Sequence, residues 1–374
     1  MKTMWMLLFL LLPILGLVYI GWHVYTLVPL SAAWRWGIIG LGVVSFLMLF
    51  LNIRHVIDGL PLWLARVVYD IGCSSVFVLL YLVIIFLLLD AARLFHLMPA
   101  RMLHQNVYTT IAITIGMFVI FMVGNIKYYN KVREELKFTT EKQLQHPVKL
   151  VMMSDLHLGY HNTRKELARW VDMINKEQPD MVLIAGDIID MSMRPLLEEK
   201  MAEEFHRIEA PVYACLGNHE YYSGEPEAQR FYEEAGIHLL RDTFVVVSDV
   251  CIIGRDDRSN RHRKPLEWLV AEANALTSHP SSLTTGKYTI LLDHQPYHLE
   301  KTEKEGIDLQ LSGHTHNGQV WPISWIESTM YECAYGRYQR GKTNFYVSSG
   351  MGIWGGKYRI GTQSEYVVIT IDNG

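Results

Sequence analysis

The sequence predicts an α/β layered domain behind an α-helical, membrane-spanning N-terminal region. Three observations predict it. Charged residues make up 19% of the 374-residue chain, but only nine of the 72 fall in residues 1–126. From Val148 onward, short β-rich runs alternate with amphipathic helical ones, the pattern of layered α/β folds. Asp, His, Asn and Gly gather just past five of those runs, where ligands collect in such folds.

In the apolar third, four stretches lack Lys, Arg, Asp and Glu for about the 20 residues that cross a bilayer. They are Met4 to about Tyr25, Trp36 to Ile53, Ile71 to Leu89, and Val107 to Ile126. Lys2 before an apolar run is also how a signal peptide begins. No small-x-small cleavage site follows Gly16 to Gly21, however, and three more apolar runs come after. Basic flanks set the orientation. Lys2, Arg54, Arg66, Lys127, Lys131, Arg133 and Lys137 fall on one side of a four-span chain, and Arg35, Arg93 and Arg101 on the other. The expectation is a multi-pass protein of the plasma or inner membrane, with the lipid bilayer as a partner and residues 127–374 in the cytoplasm.

Residues 127–147 are polar and end at Pro147, which predicts a helical stalk followed by a linker. The domain proper is expected at 148–374. Strands are expected at Val148–Met153, Met181–Ala185, Pro211–Leu216, Tyr288–Leu292, Leu309–Leu311, Asn344–Ser348 and Tyr366–Ile371, with helices at Lys165–Glu177 and Leu196–Glu209. Residues 127–374 carry a net charge of −7, which argues against a nucleic-acid-binding surface. The cysteines Cys73, Cys215, Cys251 and Cys333 show no metal or disulfide spacing and read as buried free thiols.

Asp155 and His157 follow the first strand, Asp187 the second, Asn218 and His219 the third, His294 the fourth, and His314 and His316 the fifth. Oxygen and imidazole donors without thiolates suit Mn, Fe or Zn, and they are enough for two divalent ions. Two such ions activate water and clamp phosphoryl oxygens, and a histidine such as His219 can protonate the leaving group. Glu220 or Asp190 could orient the imidazoles, and the sequence does not choose between them. A basic run, Arg255, Arg258, Arg261, Arg263 and Lys264, suits either an anionic substrate or a solvated, ion-paired loop.

The blocks Asp155-Leu156-His157, Gly186-Asp187, Gly217-Asn218-His219-Glu220, His294 and Gly313-His314-Thr315-His316 resemble the calcineurin-like metallophosphoesterases. Gly318-Gln319 and Tyr346-Val347-Ser348-Ser349-Gly350 are similar to the membrane-anchored bacterial branch. The resemblance implies two β-sheets packed as a sandwich flanked by helices. It also implies one metal on Asp155, His157, Asp187 and His316, a second on Asp187, Asn218, His294 and His314, and His219 facing the substrate phosphate. Asn317 stands where that branch usually has Gly, and Glu220 where Asp is common. The expected function is hydrolysis of a phosphodiester, pyrophosphate or phosphomonoester on a phosphorylated, lipid-linked substrate. The alternative is a membrane sensor or scaffold that binds a phosphorylated ligand without turnover.

Overall fold

A computed structural model describes residues 2–275 and 286–373, the side chains of 2–10 excepted. The chain divides into a unit of residues 1–124 with 355–357 and a unit formed by the remainder.

The first unit is built from α1 (Lys2–Leu27), α2 (Ala32–Ile53), α3 (Leu62–Leu94) and most of α4 (Val107–Tyr129). Among the described residues α2, α3 and α4 are long and apolar enough to cross a membrane; α1 contributes Leu11–Leu27, short of that length. Three of the four expected spans are counted among the described residues, and the first lies partly outside them. Polar contacts join the helices. Tyr19 donates to Asp90 at 2.7 Å, and His23 Nε2 lies 3.0 Å from the same carboxylate, which ties α1 to α3. Asn52 donates to the Tyr69 carbonyl at 3.3 Å and ties α2 to α3.

The second unit holds two six-stranded sheets. The first contains β1 (Val132–Thr140), β2 (Val148–Met153), β3 (Met181–Ala185), β4 (Val212–Cys215), β5 (His238–Leu239) and β12 (Glu365–Asn373), in the order β1-β12-β2-β3-β4-β5. The second contains β6 (Thr243–Val247), β7 (Val250–Gly254), β8 (Tyr288–Leu292), β9 (Leu309–Ser312), β10 (Gly336–Arg340) and β11 (Thr343–Val347), in the order β10-β11-β9-β8-β7-β6. Strands β2 to β5 are mutually parallel, as are β7, β8, β9 and β11, while β12, β6 and β10 introduce antiparallel pairs.

The expected stalk is corrected here. Residues 132–140 are β1, which pairs in parallel with β12 from Val132↔Glu365 to Thr140↔Asn373. The second unit's sheet therefore begins before residue 148. The expected helix at Leu196–Glu209 is two short ones, α6 (Arg194–Glu198) and α7 (Ala202–Phe205).

Side-chain alternation builds the sandwich. Leu150 and Met152 of β2 join Leu183, Ile252, Ile290, Leu292 and Leu311 in the cluster between the sheets. Val151 and Met153 face the other way, onto Leu167, Trp170, Val171 and Ile174 of α5 (Arg164–Glu177). Fully burying a side chain of this kind is worth about 1.5–3 kcal/mol. With both faces covered, these strands read as near-continuous apolar runs. The outer face of the second sheet is covered by α10 (Leu266–Ala275), after the short α8 (Asn218–Ser223) and α9 (Glu225–Glu234). Two further short helices, α11 (Leu299–Lys304) and α12 (Ile323–Ser328), complete the unit.

Candidate metal centre

The loops that leave the ends of β2, β3, β4, β8 and β9 converge. His157 Nε2 lies 3.1 Å from His316 Nε2 and 3.7 Å from Asp187 Oδ2, and Asp187 Oδ2 lies 3.1 Å from His294 Nε2. Asp155 Oδ1 is 3.6 Å from His316 Nε2. Three overlapping groups could each hold a cation: Asp155, His157 and His316; His157, Asp187 and His219; and Asp187, His294 and His314. Asp187 belongs to two of them. The first and third match portions of the two expected ligand sets. The second brings His219 within ligand distance of Asp187 and His157, which the sequence reading did not foresee.

The donors fit cations. Asp155 Oδ2 and Asn218 Oδ1 are buried without a hydrogen-bond partner, an arrangement that costs stability unless something is there to meet them. His294 places its Nδ1 against the Ala185 carbonyl at 2.7 Å, so that nitrogen carries a proton and Nε2 is the one left to face Asp187 or a cation. That is the usual way a second partner fixes a ligating tautomer.

Electrostatics reflect the crowding. Burial pushes Asp187 up, but His294 and His219 outweigh it and hold the carboxyl well below the carboxylate range. Burial also disfavours charge on His219, yet Asp187 and the Asp190 hydrogen bond raise it above ordinary imidazole. Burial, with His294 beside it, lowers His314 to about 4, so the ring is neutral and one nitrogen offers a lone pair.

The supporting residues resolve the choice left open by the sequence. Asp190 is the carboxylate that faces imidazoles, with Oδ1 3.2 Å from His219 Nδ1 and 3.5 Å from His157 Nδ1. Glu220 holds backbone instead. It accepts from the amides of Gly217 at 2.7 Å, Ile189 at 3.0 Å and Asp187 at 3.2 Å, locking two ligand loops together. The glycines leave room for carboxylates: a Cβ at Gly217 would lie 2.1 Å from Asp187 Oδ1, and one at Gly313 would lie 2.3 Å from Asp155 Oδ2.

Asp155, His157, Asp187, His314 and His316 all have positive φ, backbone strain of the kind that clusters at functional sites. Asn317 is also left-handed, at φ +51°. Asn is among the few residues that adopt this region readily, so its replacement of the usual Gly leaves the loop intact.

One residue went unseen in the sequence. Arg359 is fully buried and donates to the His316 carbonyl at 2.6 Å, to the Ser349, Gly350 and Gly352 carbonyls, and to Ser364. It fastens the His316 loop to the 349–352 loop from beneath.

The basic run is divided. Arg255 and Arg263 both pair with Asp293, at 2.8 and 3.1 Å, which commits these two to holding the loop. Arg263 also donates to the Asp256 carbonyl at 3.0 Å. Arg261 is exposed. Arg258 lies 4.2 Å from the ring centroid of Tyr297. The four cysteines are free and buried.

Residues 148–318 match the family model described as calcineurin-like phosphoesterase. A metallophosphoesterase of Campylobacter jejuni is 33% identical over 231 residues, 61% of this chain and 60% of its own. A transmembrane protein with metallophosphoesterase domain from Danio rerio is 32% identical over 238 residues, 60% of this chain and 53% of its own. The chain thus spans between half and two thirds of the length of these two relatives. Among solved structures, a dimetal phosphatase from Danio rerio is similar, with a TM-score of 0.38 and 13% identity, over 55% of this chain and 88% of that one.

Proposed function

We propose, from the match of residues 148–318 to the calcineurin-like phosphoesterase family model, that this chain is a membrane-anchored dimetal phosphohydrolase. Its substrate is a phosphodiester, pyrophosphate or phosphomonoester, lipid-linked and reached from the cytoplasmic face of the membrane. The observation that carries the reading is the sharing of Asp187 between groups of donors that could each hold a cation.

Asp155, His157, Asp187 and His316 would hold one ion, and Asp187, Asn218, His294 and His314 the other. Two divalent ions so held supply an activated water and neutralise phosphoryl charge. The remaining work falls to the chain. Asp190 supports a proton on the His219 imidazole through Nδ1, which leaves Nε2 to protonate the departing oxygen. Glu220 keeps Asp187 and Asn218 in register by binding three amides. Manganese, iron and zinc all suit this donor set.

The test is metal-dependent hydrolysis of bis-p-nitrophenyl phosphate by the full chain, followed by turnover of a lipid extract read by mass spectrometry. Hydrolysis that requires added Mn, Fe or Zn supports the reading. Phosphate-ester binding without turnover under every metal would favour a sensor.

A further inference from the structure

Between residues 132 and 373, nine large apolar side chains are exposed among those described, and five of them lie within ten positions: Trp321, Ile323, Trp325, Ile326 and Met330. Trp325, Ile326 and Met330 are 66%, 59% and 66% exposed, and the Trp321 and Trp325 rings meet edge to face at 5.3 Å. So concentrated an apolar patch marks an interaction site.

Its position in the chain says with what. The patch is carried by α12 and its flanks, a segment that begins just after the His316 loop and ends at Tyr331. The Tyr331 ring lies 6.4 Å from that of His314, and its hydroxyl is 3.0 Å from that of Tyr297. Tyr297 in turn carries the Arg258 guanidinium over its ring, and Arg258 Nη1 is buried without a hydrogen-bond partner. A cation with an unused donor, two tyrosines beside a candidate metal ligand, and a tryptophan-rich apolar segment thus follow one another, the last joined to Tyr331 through the chain from Met330 back to Trp321. An unsatisfied guanidinium donor suits an anionic oxygen. An adjoining apolar lip suits hydrocarbon, and apolar helices in the same chain are long enough to cross a membrane.

We propose that Arg258, Tyr297 and Tyr331 with the lip at Trp321–Met330 select an amphiphilic phosphate ester, the lip covering the first methylenes of an acyl or alkyl chain and Arg258 meeting an anionic oxygen of its head. This rests on the phosphohydrolase reading and names the residues that make the substrate a lipid.

The probes are n-alkylphosphonates of two to eight carbons, measured against the full chain in nanodiscs in two ways: as competitive inhibitors of bis-p-nitrophenyl phosphate hydrolysis, and by calorimetric binding to metal-free protein. Affinity is expected to rise about twofold per methylene, the value for a methylene half removed from water. In Trp325→Ser/Ile326→Ser/Met330→Ser the slope should flatten to about 1.2-fold. Arg258→Ala should weaken all chain lengths by a common factor of about tenfold, as loss of one charge-assisted contact does. Partition into the disc lipid is common to both proteins, so the difference in slope reports the lip. Should the triple variant fail to fold, Met330→Gln alone should lower the slope, and Trp268→Ser, an exposed tryptophan on α10, should not.

Equal slopes in wild type and lip variants would overturn the proposal while leaving the hydrolase reading intact. So would equal slopes with a changed oligomeric state, which would make the patch a protein interface. Absence of metal-dependent hydrolysis with a normal chain-length slope in binding would sink the hydrolase reading and spare the lip.

Discussion

Asp190 and His219 are joined through a 3.2 Å contact from Oδ1 to Nδ1, and the carboxylate is fully buried beside the candidate metal ligands. The same oxygen reaches toward His157 Nδ1 at 3.5 Å. One carboxylate therefore sets the tautomer of a proposed ligand and of a proposed acid. Asp190→Asn should weaken metal binding by about 10–100-fold, the usual cost of losing an orienting partner, and lower the rate as well. Metal titration followed by calorimetry checks the first part. Unchanged metal affinity would show that His157 does not depend on Asp190.

Asp187→Asn should abolish metal loading and turnover together, since Asp187 is shared between donor groups. Metal analysis of the purified variant is the measurement. Two equivalents of metal per chain with near-normal hydrolysis would end the shared-ligand assignment.

His219→Ala separates two roles that the geometry brings close. As a general acid it should keep both metals and lose about 10²–10⁴-fold in rate. Its place in a donor group with His157 and Asp187 makes the metal count the deciding readout. Loss of one equivalent would make His219 a ligand.

How much of this was legible in the sequence depends on where each side chain sends its bonds. Asp155, His157, Asp187, His294, His314 and His316 follow strands in recognisable blocks, so their gathering into donor groups could be read from strand order. The division of labour between Asp190 and Glu220 could not, because both are carboxylates near the same loops and only their spatial partners differ. Arg359 left no trace, since its partners are mostly backbone carbonyls, which any residue supplies. Strand β1 did leave one. Arg133, Glu135, Lys137 and Thr139 face out, and Val132, Glu134, Leu136 and Phe138 face in, a period of two. The charge density of this edge strand suggested a stalk, and the alternation beneath it was the better signal.

Arg359→Met should destabilise the protein by about 2–4 kcal/mol, because buried carbonyls of the 316 and 349–352 loops would lose their donor. Arg359→Lys should recover part of this with fewer donors. Unfolding midpoints give the stability change, and metal affinity gives the positioning effect on His316. A variant with normal metal affinity and reduced stability would confine Arg359 to the fold.

The last prediction concerns the side of the membrane. Seven basic flanking residues against three, counted for four spans, predict a cytoplasmic second unit under the positive-inside rule. The structure bears on the minority side of that count. Arg35, near the start of α2, donates to the carbonyls of Leu30 at 2.7 Å and Tyr25 at 3.0 Å, so its charge is held against the end of α1. Such a cation completes a helix C-terminus, and it serves packing as well as topology. A reporter fused after Gly374 should be active as β-galactosidase and silent as alkaline phosphatase. A second fusion after Asn130 keeps α4 whole and omits β1, which belongs to the sheet, so it reports the same side without the folded domain. Alkaline phosphatase activity from both would put the domain outside, and its substrate would then have to be sought in the envelope.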